Sequence, residues 1–131
     1  MVKEMPHGKS ETILLVDDEE SILLLGKQIL LDPGYTIYTA SDAEQAIDIY
    51  RQKNDEIDLI VLDFIMPGIS GLDCMKEILK INPDAKIIIV TGYTDSELVS
   101  NVIKLGAKKF IRKPYRIAEL IDVVRKTLDE D

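Results

Sequence analysis

The sequence predicts an α/β domain in which five parallel strands form one sheet covered by helices on both faces. Two observations carry that expectation. Apolar runs of strand length alternate five times with helical patterns, which is the signature of a parallel sheet joined by helical crossovers. The chain has 131 residues, 46% hydrophobic and 31% charged, enough to bury one core and too few for a second domain of similar mass.

The strands are expected at Thr12–Val16, Tyr35–Ala40, Ile57–Leu62, Lys86–Thr91 and Lys109–Arg112. Between them, Ala43, Ala46, Ile47 and Tyr50 recur at helical spacing, as do Leu98, Val102 and Leu105, and then Ile117, Leu120, Ile121, Val124 and Leu128. These stripes should face the core. Capping boxes are expected where a hydroxyl precedes an acid by three residues, Ser41 with Glu44 and Thr94 with Glu97. Gly34 and Gly106 follow helices where a left-handed cap suits glycine, and Pro83 closes the third helix. The folded unit should cover residues 10–128, between a disordered 1–9 segment and an acidic tail at 129–131.

Several classes of function are excluded early. The longest apolar runs, such as Ile13–Val16 and Ile87–Val90, fall far short of the roughly 20 residues a membrane helix needs. Residues 1–11 are polar and offer no secretory signal, so cytoplasmic residence is the expectation. Cys74, the single cysteine, lies among Leu72, Met75 and Ile78 and reads as a partly buried helix position. Neither G-x-G-x-x-G nor a P-loop appears, which disfavours nucleotide enzymes.

A net charge of −8 argues against direct nucleic-acid binding, but the charge is unevenly spread. Residues 1–103 hold 8 basic and 19 acidic side chains, whereas residues 104–126 hold 8 basic and 2 acidic ones. Two readings stay open for that basic stretch: a solvated helical face containing one functional lysine, or a docking patch for an acidic partner.

Sheets with helices on both faces bind ligands outside the carboxyl ends of their strands. Four of those ends carry chemistry. The first strand leads into Asp17-Asp18-Glu19-Glu20, the third into Asp63, the fourth ends at Thr91, and the fifth leads into Lys113-Pro114. Like charges about 4 Å apart repel by about 4 kcal/mol at an effective dielectric near 20, so carboxylates gathered there need a cation. All-oxygen ligation with no histidine or cysteine nearby favours Mg²⁺, or Mn²⁺, over Zn²⁺. Such a site suits phosphoryl transfer to an aspartate that attacks phosphorus directly. Taken singly, each residue has a plainer role. The acidic run could cap a helix, Asp63 could belong to a turn, Thr91 could end a strand, and Lys113 could be solvated.

In combination, the Asp17-Asp18 pair, Asp63-Phe64-Ile65-Met66-Pro67-Gly68-Ile69-Ser70-Gly71, Thr91-Gly92 and Lys113-Pro114 resemble a response-regulator receiver domain of two-component signalling, the CheY-like fold. The resemblance covers roughly residues 10–128 and implies a flavodoxin-like strand order of 2-1-3-4-5. It implies that Asp63 accepts a phosphoryl group from the phosphohistidine of a histidine kinase or phosphotransfer domain. Asp18 and Asp63 would hold Mg²⁺ through their side chains, Ile65 through its backbone carbonyl, and Asp17 through a water. Thr91 and Lys113 would contact phosphoryl oxygens, with the Lys113–Pro114 bond cis.

Phe110 falls at the family's aromatic switch position. It would turn inward when Thr91 moves, reshaping the surface of the fourth helix, fifth strand and fifth helix, unless it is a fixed core residue. Ile65 and Tyr93 would tune hydrolysis. The resemblance makes the protein a signalling switch rather than an enzyme, acting on an unknown output partner and open to phosphorylation-dependent homodimerisation. Two alternatives remain. One is a Mg²⁺-dependent aspartyl phosphatase of the haloacid-dehalogenase kind, disfavoured because Asp17 and Asp18 are adjacent and there is no room for a cap domain. The other is a receiver-like domain that works without phosphorylation.

Overall fold

A computed structural model describes residues 11–31, 33–64, 68, 70–92 and 96–130. The expected disordered segment at 1–9, the last residue of the acidic tail, and Ile65, Tyr93 and Thr94 lie outside the described residues. Five strands alternate with five helices: β1 (Thr12–Val16), α1 (Glu20–Leu31), β2 (Thr36–Ala40), α2 (Ala43–Lys53), β3 (Ile57–Asp63), α3 (Gly71–Ile81), β4 (Ile87–Thr91), α4 (Ser96–Leu105), β5 (Lys109–Arg112) and α5 (Ile117–Asp129). All pairings are parallel and the order is β2-β1-β3-β4-β5, as the sequence led us to expect.

Strand alternation divides the core in two. Leu14, Val16, Ile60, Leu62, Ile87 and Ile89 face α2, α3 and Val102 of α4. Their neighbours Ile13, Leu15, Leu59, Val61, Ile88 and Val90 face α1 and α5. Every residue of β1 and β4 is buried, which explains why these strands read as continuous apolar runs rather than alternating ones. No helix among the described residues is long and apolar enough to cross a membrane.

The side chain of Leu98 lies outside the described residues, and the other stripe residues hold except at helix ends. Ala43, Ala46, Ile47, Tyr50, Val102, Leu120 and Val124 are buried. Leu105 is 44% exposed and Ile117 56% exposed, because they are the last residue of α4 and the first of α5, where each stripe runs past the core. The start of α2 also differs from expectation. Asp42, not Ser41, is the N-cap and accepts from the Gln45 N–H at 2.8 Å, while Gln45 Oε1 accepts from the Ser41 N–H. A carboxylate one residue later satisfies the free N–H groups, and the amide side chain of Gln45 takes the part foreseen for Glu44. Gly34 and Gly106 have φ of 101° and 131°, the left-handed conformation that the sequence required of them.

The edge of the sheet where the strands begin is closed by the chain's own charges. Arg125 donates to both carboxylate oxygens of Glu11, at 3.1 and 2.7 Å, and also to Asp129 and the Tyr35 hydroxyl. Lys109 pairs with Glu130 at 2.6 Å. Lys86 donates to the carbonyls of Leu128 and Glu130, so the end of α5 is held against the starts of β4 and β5. Asp58 accepts from the Thr12 N–H at 2.9 Å.

Candidate functional site

At the opposite edge the strands end in unbalanced charge. Asp17 follows β1, and its Oδ1 accepts from the Glu19 N–H at 2.9 Å, which fixes the turn into α1. The acidic run is thus both a helix entrance and part of the site. Asp63 is the last residue of β3, one position further along the strand than the sequence suggested. Asp17 and Asp63 are 6% and 4% exposed, while Asp18 stands in solvent. One carboxylate oxygen from each of Asp17, Asp18 and Asp63 lies within 4.8 Å of the others.

Lys113 reaches in from beyond β5. Its Nζ donates to Asp17 Oδ2 at 2.9 Å and to Asp63 Oδ2 at 3.2 Å. Burial alone would lower the pKa of this ammonium, but hydrogen bonds and charge from Asp17 and Asp63 outweigh it, so the pKa is raised. Lys113 is therefore charged throughout the physiological range. Its backbone N–H donates to the Thr91 carbonyl at 2.9 Å, and the Lys113–Pro114 peptide is cis.

Thr91 ends β4 at 1% exposure, one residue beyond Val90, the register partner of Asp63. By strand alternation it shares the face of Ile87 and Ile89. Phe110 pairs in register with Ile89 and packs, partly buried, against the core on that same face. The structure thus brings Asp17, Asp18, Asp63 and Lys113 together and sets Thr91 on the strand beside Asp63. Phe110 lies deeper, away from the carboxylates, and Ile65 lies outside the described residues.

Two contributors were given no role by the sequence, although Gly71 closes the motif that begins at Asp63. A Cβ on Gly71 would come within 2.5 Å of Phe64 Cα, so only glycine lets the Gly71 N–H reach the Phe64 carbonyl at 3.0 Å and close the loop after Asp63. Tyr115 joins Asp17, Asp63, Leu23, Gly26 and Val90 in lining a cavity of about 20 Å³ behind the carboxylates. Burial first, and the negative charge of Asp17 second, push the Tyr115 phenol up. The aromatic residue following Lys113-Pro114 was the available signal for Tyr115. Nothing in the sequence alone marks how near Gly71 comes to Phe64.

The donor set is all oxygen, with three carboxylates opposed by one ammonium, which fits a hard divalent cation. A family model for the response regulator receiver domain matches residues 13–125. The chain belongs to that family. Receiver domains are signalling switches of two-component systems whose general role is phosphoryl transfer, and they bind Mg²⁺ at an acidic pocket.

The chain is 33% identical to the chemotaxis protein CheY of Thermotoga maritima over 87% of its own length and 94% of that protein. It is 31% identical to the sensor kinase CckA of Brucella abortus over 92% of its length, but spans only 13% of that kinase. A solved complex of CheX, CheY, beryllofluoride and Mg²⁺ from Borrelia burgdorferi contains a similar receiver, with a TM-score of 0.88, 30% identity, and 92% and 90% of the two chains covered. This membership sets the chain among switches rather than aspartyl phosphatases.

Proposed function

We propose that Asp63 is the phosphoacceptor of this receiver and takes its phosphoryl group from the phosphohistidine of a histidine kinase or phosphotransfer domain. The observation that carries this reading is Lys113 bridging Asp17 and Asp63 beside Asp18. A carboxylate of Asp63 forms the new P–O bond as the P–N bond of the donor breaks. Asp18 and Asp63 would hold Mg²⁺ directly, Asp17 through a water, and the Ile65 carbonyl would complete the protein's share. When bound, Mg²⁺ neutralises charge on the transferred group.

Lys113 then exchanges its bond to Asp63 for one to a phosphoryl oxygen, and the Thr91 hydroxyl donates to another. Movement of Thr91 opens space on the face it shares with Phe110, whose ring turns inward and alters the surface of α4, β5 and α5. Residence in the cytoplasm, a folded unit of residues 10–128, an output partner at that surface and homodimerisation on phosphorylation belong to the same reading.

Beryllofluoride, a mimic of the aspartyl phosphate, tests it. Binding is expected only with Mg²⁺, shifting NMR signals of Thr91 and Phe110, and its absence overturns the phosphoacceptor assignment. Asp63→Asn should abolish labelling by acetyl phosphate while circular dichroism stays unchanged. Labelling of that variant at another aspartate would show the acceptor to be misassigned.

A further inference from the structure

The two outermost strands of the sheet are guarded unequally. An outermost strand leaves a row of backbone N–H and C=O groups open to pairing with another chain, and charges or proline on it usually prevent that. β5 begins and ends with a cation, Lys109 and Arg112. β2 reads Thr36-Ile37-Tyr38-Thr39-Ala40, with no charge, no proline and an unbroken register against β1. Its bonds to β1 run from the Thr36 N–H on the Glu11 carbonyl, at 3.0 Å, to the Asp17 N–H on the Ala40 carbonyl, at 3.2 Å. A parallel strand turns alternate residues to each neighbour, so Thr36, Tyr38 and Ala40 direct their backbone groups to β1 and Ile37 and Thr39 direct theirs outward. No other strand pairs on that side among the described residues.

A line of α1 side chains runs beside this open side. Glu20, Leu24, Lys27 and Leu31 recur at spacings of four, three and four, which sets them on one face of the helix. Leu24 and Leu31 are 60% and 48% exposed. Leu24, Lys27 and Thr39 line a single groove, so the helical line follows β2. Each row is nearly symmetrical about its own midpoint. In the strand, Ile37 and Thr39 flank Tyr38, and in the helix Leu24 and Leu31 flank Lys27.

We infer that β2 pairs with β2 of a second copy, antiparallel across a twofold axis through Tyr38, so that the two five-stranded sheets become one. Ile37 of each copy exchanges both of its outward backbone bonds with Thr39 of the other. On the same face of the joined sheet, Leu24 of each α1 approaches Leu31 of the other. The backbone groups alone would accept an extended segment of any protein, and it is the twofold arrangement of the leucines that selects a second copy. The net charge of −8 opposes self-association, but β2 carries no charge and the α1 line carries one of each sign, so the repulsion acts from a distance and salt screens it. β2 lies across the sheet from β4 and β5, which hold Thr91 and Phe110. The pairing is therefore independent of phosphorylation and does not rest on the proposed function.

The test is sedimentation from micromolar to millimolar protein, with backbone amide exchange followed by NMR. The expected result is a monomer–dimer equilibrium that tightens with added salt, while exchange at Ile37 and Thr39 slows as the dimer forms. Thr39→Pro removes an outward N–H and no bond to β1, so it should weaken the dimer about tenfold with circular dichroism unchanged. Leu24→Lys, on the exposed line of α1, should weaken it by a similar factor and serves if the proline variant fails to fold. A protein that stays monomeric at millimolar concentration overturns the inference, as does a dimer that both variants leave intact. A dimer that forms only with Mg²⁺ and beryllofluoride also overturns it, and assigns self-association to the phosphorylation-dependent contact of the proposed function. A peptide of alternating threonine and valine that slows exchange at Ile37 and Thr39 of a monomeric protein would instead make the occupant another protein's strand.

Discussion

The two edges of the sheet solve the same electrostatic problem differently. Where the strands begin, Arg125 satisfies Glu11 and Asp129, Lys109 meets Glu130, and the Thr12 N–H meets Asp58. Where they end, Asp17, Asp18 and Asp63 share one ammonium, and Asp18 has no ion pair or hydrogen bond among the described residues. At the first edge each of these carboxylates has a partner on the chain itself. Among the described residues the second gathers three carboxylates around one ammonium, an excess of negative charge that a divalent cation would balance. Density of charge does not separate the two edges. What separates them is whether the chain supplies its own counter-charge.

Substitutions can break this comparison, and the largest effect should come from the loop that closes beneath the working edge. Gly71→Ala puts a methyl group against the Phe64 backbone, with about 3 kcal/mol of stability lost in urea unfolding, as for severe overpacking. Next, Arg125→Ala should remove about 2 kcal/mol by leaving Glu11 and Tyr35 partly buried without their donor, and the loss should be equal with and without Mg²⁺. A Mg²⁺-dependent loss would mean that the two edges are not independent.

Mg²⁺ itself should stabilise the native protein by about 1.4 kcal/mol at ten times its dissociation constant, an increment that EDTA removes. Asp18→Asn should forfeit most of that increment in the same thermal melts while leaving stability in EDTA unchanged or raised. The smallest effect belongs to neither edge. Burial pushes the Cys74 thiol up to about 12 from its ordinary 9.0. The folded state keeps the proton that the unfolded chain releases, so this contribution is whole below pH 9 and declines toward pH 12. By pH 10 the part lost should amount to on the order of 1 kcal/mol, a loss unaffected by Mg²⁺ and absent from Cys74→Ala. Native Cys74 should also resist thiol reagents until the protein unfolds.

Much of the fold could be read from the chain because buried strands and amphipathic helices repeat with different periods. The runs at Ile13–Val16 and Ile87–Val90 and the stripe through Ala43, Ala46, Ile47 and Tyr50 are direct traces of the core. Strand ends and helix ends were less legible. Asp63 extends β3 because its neighbour β4 continues to pair with it at Val90, and Asp42 displaces Ser41 because capping depends on local backbone angles. The convergence of Asp17, Asp18, Asp63 and Lys113 was legible from topology alone, since parallel strands bring their ends to one side. The bridging of two carboxylates by Lys113, with the shorter bond going to Asp17, was not, because such a distance depends on three strands at once.

The contact between Gly71 and Phe64 bears on how this protein can change over time. The segment between them leaves and re-enters the scaffold at two points tied by a hydrogen bond of 3.0 Å, with Asp63 just before the first and α3 just after the second. Position 71 is therefore barred to any residue that carries a Cβ, by selection or by an engineer, so the join between the acceptor strand and α3 keeps its form however far the surrounding sequence drifts.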